Sequence, residues 1–205
     1  MARFYFVRHG DAYDDNFIQT DDSSLNKWGV VQARKLAYRL RDNKFDAMYC
    51  SQITRAIETC EAVNKYHNMD VEFKKEFNEV GDEDWPQPGV ISKPGDLHNF
   101  HDRSEAIYKT FKGLVKRHRD SKAKMTEVII FTHGNWIRAL LTMILGDGNP
   151  NVFAHFVIHN TSLTIIDVNE DDDYEYVITI SDAAHTQILK WEDFKDNKEL
   201  YSDVN

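Results

Sequence analysis

The chain has 205 residues, 41% of them hydrophobic and 29% charged, with a formal net charge of −9 and a pI near 5.4. These values are ordinary for a globular domain, and the negative charge disfavours nucleic acid and anionic membranes as partners. The N-terminal apolar run is too short for a signal peptide or a membrane span, and Cys50 and Cys60 make no disulfide framework, so we expect a cytoplasmic protein with reduced thiols.

The first half of the chain alternates short apolar segments with amphipathic ones. Apolar runs bounded by polar residues predict strands at residues 4–7, 45–50 and 71–73. Apolar residues at three- and four-residue spacings predict helices at residues 25–40 and 52–66. Ser24 or Asn26 is the expected N-terminal cap of the first helix. Strands that alternate with helices in this way indicate an α/β fold.

The segment from residue 79 to residue 100 is different, because it holds three of the four prolines in the chain. Long irregular loops in compact domains are often functional. The same patterns predict later helices at residues 104–119 and from just after Asn135 to Leu145, and strands at 128–131, 162–168 and 174–180. We therefore predict a three-layer helix-sheet-helix fold with a mainly parallel central sheet. One domain would span residues 1–205, with a Pro/Gly-rich substrate loop and a helical insertion around residues 79–122.

Three polar motifs directly follow predicted strands: Arg8-His9-Gly10, the segment ending at Arg55, and Thr132-His133-Gly134. In open parallel sheets, ligands bind outside the carboxyl ends of the strands, so two histidines and two arginines could meet in one crevice. Such a cluster suits a phosphoryl group, because arginine offers forked donors and a glycine lets the backbone approach the anion. Each motif alone is more often structural, and the repeated placement is what favours a site.

Several segments also match one known family in order along the chain. They are Val7-Arg8-His9-Gly10-Asp11-Ala12, Leu25 to Gly29 with Gln32-Ala33, Ser51 through Thr59, Asn78-Glu79, Phe131 to Gly134, His159 to Ser162, and Asp182 to His185. Together they resemble the histidine phosphatase superfamily, the phosphoglycerate-mutase-like proteins. The resemblance covers most of the chain, and the ordered set is specific although no single segment is.

The resemblance implies hydrolysis of phosphomonoesters through a phosphohistidine formed on His9. It implies that Arg8, Arg55, His133 and Gly134 bind the phosphoryl group, and that Glu79 protonates the leaving oxygen. It implies no metal and no other cofactor. The partner would be a phosphorylated small molecule or a phosphoprotein, and the sequence gives no oligomeric state. A phosphoglycerate-type mutase and a non-catalytic binding module for phosphorylated ligands are the alternatives.

Some positions depart from the family pattern. After Glu79 the usual aromatic-glycine pair is missing, so Asp82, Glu83 and Asp84 are rival acids. Asn16 lies one residue out of register with an asparagine that often touches the phosphate.

Two other sets of residues outside these motifs could bind a metal or a substrate. The pairs His98 with His101 and His155 with His159 have metal-like spacings but no third ligand. Trp85 and Phe100 could line a substrate pocket or pack in the core.

Overall fold

A six-stranded mixed sheet forms the centre of the computed structural model, which describes residues 1–16, 18–80, 85–86, 97–118, 125–169 and 174–188. The strands are β1 (Ala2–Arg8), β2 (Ala47–Cys50), β3 (Val71–Phe73), β4 (Thr126–Thr132), β5 (Leu163–Val168) and β6 (Glu175–Asp182). Their order across the sheet is β3-β2-β4-β1-β5-β6. The first four in that order are parallel, whereas β5 and β6 pair antiparallel. The predicted α/β fold with a mainly parallel sheet is confirmed.

Helices cover both faces of this sheet, as the three-layer prediction requires. They are α1 (Lys27–Leu40), α2 (Thr54–Asn64), α3 (Leu97–His118), α4 (Gly134–Gly146), α5 (Pro150–Phe153) and α6 (Ala184–Ile188), with a 3-10 turn at Lys75–Phe77. Side chains alternate along β1, so Phe6 enters a core cluster with α3 and α4, while Val7 enters a second cluster with α1 and α2. The sheet therefore lies between two apolar layers.

The start of α1 is held against the loop that follows β1. The Asn26 side chain accepts a hydrogen bond from Gly29 N at 2.9 Å, which identifies Asn26 as the cap. A Cβ on Gly29 would lie 1.9 Å from the Asp11 carbonyl oxygen, and one on Gly10 would lie 2.7 Å from the Gly29 carbonyl oxygen. Both positions therefore require glycine, and their close approach fixes the backbone directly after His9.

Helix α3 begins at Leu97 and not near Ser104, so the predicted start was wrong. Phe100, Ser104, Ile107 and Phe111 follow each other at helical spacings and are all buried. The polar residues between Phe100 and Ser104 hid the beginning of this pattern. The side chains of Trp85 and Phe100 pack with Phe153, with ring centroids 4.8 to 5.4 Å apart, so they belong to the core.

Parts of the predicted substrate loop and of the β5–β6 turn lie outside the described residues. The single domain with a substrate loop and a helical insertion around residues 79–122 therefore stays a prediction. The short helices α5 and α6 were not predicted, since four or five residues give too little periodicity. Within the described ranges, no helix has both the length and the apolar character to cross a membrane.

Candidate active site

The carboxyl ends of β1, β2 and β4 lie side by side and present the three predicted motifs to one place. His9 N donates to the Thr132 carbonyl at 3.1 Å, and Ser51 N donates to the Phe131 carbonyl at 2.9 Å. The rings of His9 and His133 have centroids 5.0 Å apart. The three motifs that were predicted to converge therefore do so.

The His9 ring is neutral and presents a lone pair on Nε2. Its Nδ1 lies 2.7 Å from the Gly10 carbonyl, which can only accept, so Nδ1 carries the hydrogen. Arg55 Nε donates to His9 Nε2 at 3.1 Å, so that nitrogen is the acceptor. Burial, together with the charges of Arg8 and Arg55, holds the pKa of His9 well below its ordinary value. An unprotonated Nε2 is what nucleophilic attack requires.

The backbone of His9 is fixed from a second direction. Thr161 N and Asn160 Nδ2 both donate to the His9 carbonyl, each at 3.2 Å. Thr161 has φ of 54°, a left-handed conformation that costs free energy for a β-branched residue. Its hydroxyl lies 3.0 Å from His185 Nε2. The late asparagine and histidine segments noted in the sequence therefore support the main chain of His9.

Two arginines lie beside the histidine pair. Arg55 lies at the start of α2, is buried, and donates from one guanidinium nitrogen to the Thr20 carbonyl at 2.7 Å. Burial lowers the pKa of Arg55, whereas Glu79 and Asp21 raise it, and the group stays protonated. Arg8 donates to the Ile158 carbonyl at 2.6 Å. A Cβ on Gly134 would lie 3.3 Å from Arg8 Nε, so this glycine also leaves space for the Arg8 side chain.

His133 is the N-cap residue of α4 and is fully buried. Its Nε2 lies 2.8 Å from Ser51 Oγ, whereas its Nδ1 has no hydrogen-bond partner among the described residues. Burial is the main cause that holds the pKa of His133 well below its ordinary value, and His9, Arg55 and Arg8 add to it. The ring is therefore neutral before an anion binds.

A cavity of about 460 Å³ opens beside these groups, and Arg8, Arg55, Glu79 and Gly134 all line it. Glu79 is half-buried, and its Oε1 accepts a hydrogen bond from Val80 N at 3.1 Å. The predicted acid and the predicted phosphate-binding arginines therefore face the same space. The rival acids Asp82, Glu83 and Asp84 lie outside the described residues.

Other lining residues were not predicted from the sequence. Arg138 lies one turn after Gly134 on α4, a four-residue spacing that could have identified it. Asn16 is exposed, its N–H donates to Asp14 Oδ1, and it does not line the cavity. The remaining unpredicted lining residues come from the loop after β1, from α4 and from the loop after α5: Tyr13, Gln19, Thr20, Asp21, Asn135, Ala154, Phe156, Val157 and Ile158.

The described part of the chain contains no group of three or more His, Cys, Asp or Glu side chains that could hold a metal ion. The pair formed by His155 and His159 therefore gains no third ligand within that part. The side chain of His98 lies outside the described residues.

A family model of the histidine phosphatase superfamily (branch 1) matches residues 4–178. The chain belongs to this superfamily. The chain is 30% identical over 180 residues to the uncharacterized phosphatase PhoE of Bacillus subtilis, covering 83% of this chain and 91% of PhoE. It is 25% identical over 204 residues to a broad-specificity phosphatase of Saccharomyces cerevisiae, covering 90% of this chain and 87% of that one.

Solved structures of other histidine phosphatases share the fold. A phosphoserine phosphatase variant of Entamoeba histolytica in complex with phosphoserine superposes with a TM-score of 0.69 at 20% identity, covering 90% of this chain and 99% of that chain. A mycobacterial glucosyl-3-phosphoglycerate phosphatase, in complex with VO3, superposes with a TM-score of 0.70 at 19% identity, covering 87% of this chain and 98% of that chain. The family and the phosphoglycerate-mutase-like fold expected from the sequence are both confirmed.

Proposed function

We propose that this histidine phosphatase hydrolyses phosphomonoesters without a metal ion, through a phosphohistidine formed on His9. The observation that carries the proposal is the neutral, buried His9 ring, whose Nδ1 is tied to the Gly10 carbonyl and whose Nε2 holds a lone pair beside Arg55. The positive side chains beside it supply charge stabilisation that a metal ion supplies in other phosphatases.

In the first step, the Nε2 lone pair of His9 attacks phosphorus in line with the leaving oxygen. The N–P bond forms as the P–O bond to the leaving group breaks, and Glu79, which enters this step protonated, gives its proton to the departing oxygen. The Nδ1–H bond to the Gly10 carbonyl stays in place and orients the ring throughout. Arg8, Arg55 and His133 hold the phosphoryl oxygens as charge redistributes.

In the second step, a water molecule attacks the phosphoryl group from the side that the leaving group vacated. The Glu79 carboxylate takes a proton from this water as the new P–O bond forms. The N–P bond breaks, and its electron pair returns to His9 Nε2. Inorganic phosphate leaves, and both His9 and Glu79 are back in their starting states.

The substrate that suits the cavity is a small phosphorylated molecule. A volume of about 460 Å³ lies within the range of small-molecule sites. The polar side chains of Arg138 and Asn135 and the apolar side chains of Phe156 and Val157 all line it. A substrate with a polar group and an apolar group beyond its phosphate would contact both kinds of side chain. Phosphoserine, the ligand of one structural neighbour, belongs to the small phosphorylated molecules that should be tested first.

The direct test is phosphate release from a panel of phosphorylated metabolites, each assayed with a chelator present. Hydrolysis of at least one compound by the wild type, and none by the variant His9→Ala, is the expected result. Each assay is repeated with a bisphosphate primer, because a mutase needs one and a hydrolase does not. Phosphate release that requires either a metal or the primer would contradict the proposal.

A further inference from the structure

The hydrogen bonds around Asn78 fix which way its side-chain amide points. Gln52 N lies 2.8 Å from Asn78 Oδ1, and Ser51 Oγ lies 2.9 Å from the same atom. A backbone N–H can only donate, so the Asn78 atom that faces it must be the oxygen. If the amide were flipped, an NH2 group would face the Gln52 N–H, and two donors would oppose each other.

The orientation of Asn78 determines where the single hydroxyl hydrogen of Ser51 goes. Because Asn78 Oδ1 only accepts, the close contact between the two oxygens requires Ser51 to donate to Asn78. Ser51 Oγ also accepts from Ile53 N at 3.1 Å. Ser51 Oγ and His133 Nε2 lie 2.8 Å apart, so in this hydrogen bond the ring must donate and the hydroxyl oxygen must accept. Neutral His133 therefore carries its hydrogen on Nε2, and its Nδ1 is bare.

The bare Nδ1 atom is buried on a ring that lies beside the positively charged groups of the site. The His9 ring centroid lies 5.0 Å from that of His133, and Arg55 Nε donates to His9 Nε2 at 3.1 Å. Arg8 Nε would lie 3.3 Å from a Cβ on Gly134, the residue after His133, and the charges of Arg55 and Arg8 lower the pKa of His133. Ser51, which follows β2, contacts the other ring nitrogen, and Glu79, next to Asn78, lines the same cavity as Arg55. A lone pair on Nδ1 would repel a phosphoryl oxygen, whereas an N–H there would donate to it.

We propose that Asn78 and Ser51 are positioning residues that hold the neutral His133 hydrogen on Nε2, so that an anion binds only as Nδ1 takes up a proton from solvent. This inference rests on the proposed function, since it places the phosphoryl group beside His9 and His133, next to the cavity that Arg8 and Arg55 line. In the empty site, the positive charges of Arg8 and Arg55 disfavour a further positive charge on His133. A bound dianion reverses that balance, because it neutralises both arginines and accepts the new Nδ1–H. The proton leaves again when inorganic phosphate leaves.

Proton uptake makes anion affinity depend on pH in a defined way. One proton bound with each anion weakens binding about tenfold for each unit of pH above the pKa of free His133. Sulfate is the best probe, because it mimics phosphate and carries no proton of its own in the neutral range. Any proton taken up on sulfate binding therefore enters the protein. Calorimetry in buffers with different ionisation enthalpies counts these protons, and 15N spectra of histidine-labelled protein identify the nitrogen that receives them.

The wild type should take up about one proton per sulfate and show imidazolium signals for His133 only in the complex. Ser51→Ala frees the ring to place its neutral hydrogen on Nδ1, so uptake should fall towards zero and the pH dependence of binding should flatten. Asn78→Asp keeps both accepted hydrogen bonds and should keep the uptake, as should Glu79→Gln. Ser104→Ala removes another buried serine hydroxyl, from α3, and is the matched control.

The outcomes separate this inference from the proposed function. Sulfate binding without proton uptake, or a free wild type whose His133 carries its hydrogen on Nδ1, would overturn the positioning role and leave the phosphatase proposal intact. The 15N spectra of the free wild type need no variant, so this test stands even if Ser51→Ala does not fold. A wild type that releases phosphate from no substrate, but binds sulfate and takes up one proton, would overturn the phosphatase proposal and support the inference.

Discussion

Arg55 Nε donates a hydrogen bond to His9 Nε2 across 3.1 Å, so the guanidinium covers the lone pair of the proposed nucleophile before a substrate enters. The same guanidinium holds the Thr20 carbonyl at 2.7 Å, and Arg55 is only 2% exposed. A phosphoryl group entering the site offers these donors a stronger acceptor than a neutral ring nitrogen. Arg55 would then transfer its Nε–H bond to the substrate, and the lone pair would become free only when phosphate is in place.

Arg55→Lys should therefore lower kcat/KM by about a hundredfold or more. Lysine keeps the charge but cannot hold the phosphoryl oxygens, the Thr20 carbonyl and His9 with one planar fork. The exposed Arg41, just beyond α1, is a suitable control, and Arg41→Lys should leave the rate unchanged. Initial rates over a range of substrate concentrations measure the effect. A loss smaller than threefold for Arg55→Lys would contradict the proposed role.

Glu79→Gln should lower the rate much more with an alkyl phosphate than with p-nitrophenyl phosphate. An alkoxide is a poor leaving group without a proton, whereas a nitrophenolate leaves readily without one, so only the first substrate needs the acid. Glu76→Gln alters an exposed glutamate in the nearby 3-10 turn and should affect neither substrate. Equal losses of Glu79→Gln on both substrates would rule out the role. The comparison then passes to Asp82, Glu83 and Asp84.

Gly29→Ala should lower the free energy of unfolding by about 3 kcal/mol. The new Cβ would lie 1.9 Å from the Asp11 carbonyl oxygen, which is backbone and cannot move aside without displacing the loop after His9. Gly113→Ala is the matched control, because a Cβ there meets nothing within 4 Å on α3. This control should stabilise the protein by about 0.5–1 kcal/mol through helix propensity. Urea unfolding of the wild type and the two variants measures both changes in stability. A Gly29→Ala variant as stable as the wild type would contradict the prediction.

His185 should make the protein less stable as the pH falls below neutral. Arg39 donates to its Nδ1 at 3.3 Å, and burial is the main cause that lowers the pKa of His185 to about 4. Above about pH 6.5 neither the folded nor the unfolded state protonates this ring, so it has no effect on stability. Between about pH 6.5 and pH 4 the unfolded state binds a proton that the folded state excludes. The free energy of unfolding then falls by up to about 3 kcal/mol.

His185→Gln should remove this part of the pH dependence, because glutamine does not titrate and offers both an N–H and an oxygen. His9 and His133 also have lowered pKa values, but they affect both proteins alike. The difference in unfolding free energy between wild type and variant, measured by urea titration at several pH values, isolates His185. A difference that does not change with pH would show that His185 is protonated equally in both states.

Much of the fold could be predicted from the sequence because periodicity is a local property. The strands β1 and β4 each contain a continuous apolar run of four residues, and α1 shows its apolar stripe. The start of α3 was missed because Phe100 is separated from the rest of its stripe by polar residues, and its partner Phe153 is distant in the chain. A helix whose first turn packs on a remote residue leaves little local signal.

The site could be predicted only in part. Arg8, His9, Arg55 and His133 follow strands or begin helices, so the parallel topology alone brings them together. The donor pattern among Asn78, Ser51 and His133 depends on the direction of one amide, and no sequence pattern records that direction. Phe156 and Val157 line the cavity from the loop after α5, which reaches it through tertiary packing.

The central claim is that His9 carries the phosphoryl group, and trapping the intermediate tests it most directly. Rapid quenching during turnover, without acid, should yield a phosphoprotein that is labile to acid and stable to base, with the phosphate on His9 by mass spectrometry. His9→Ala should form none of it, whereas His101→Ala, which removes an exposed histidine on α3, should form as much as the wild type. A phosphoprotein that survives in His9→Ala, or a phosphate mapped to another residue, would contradict the account.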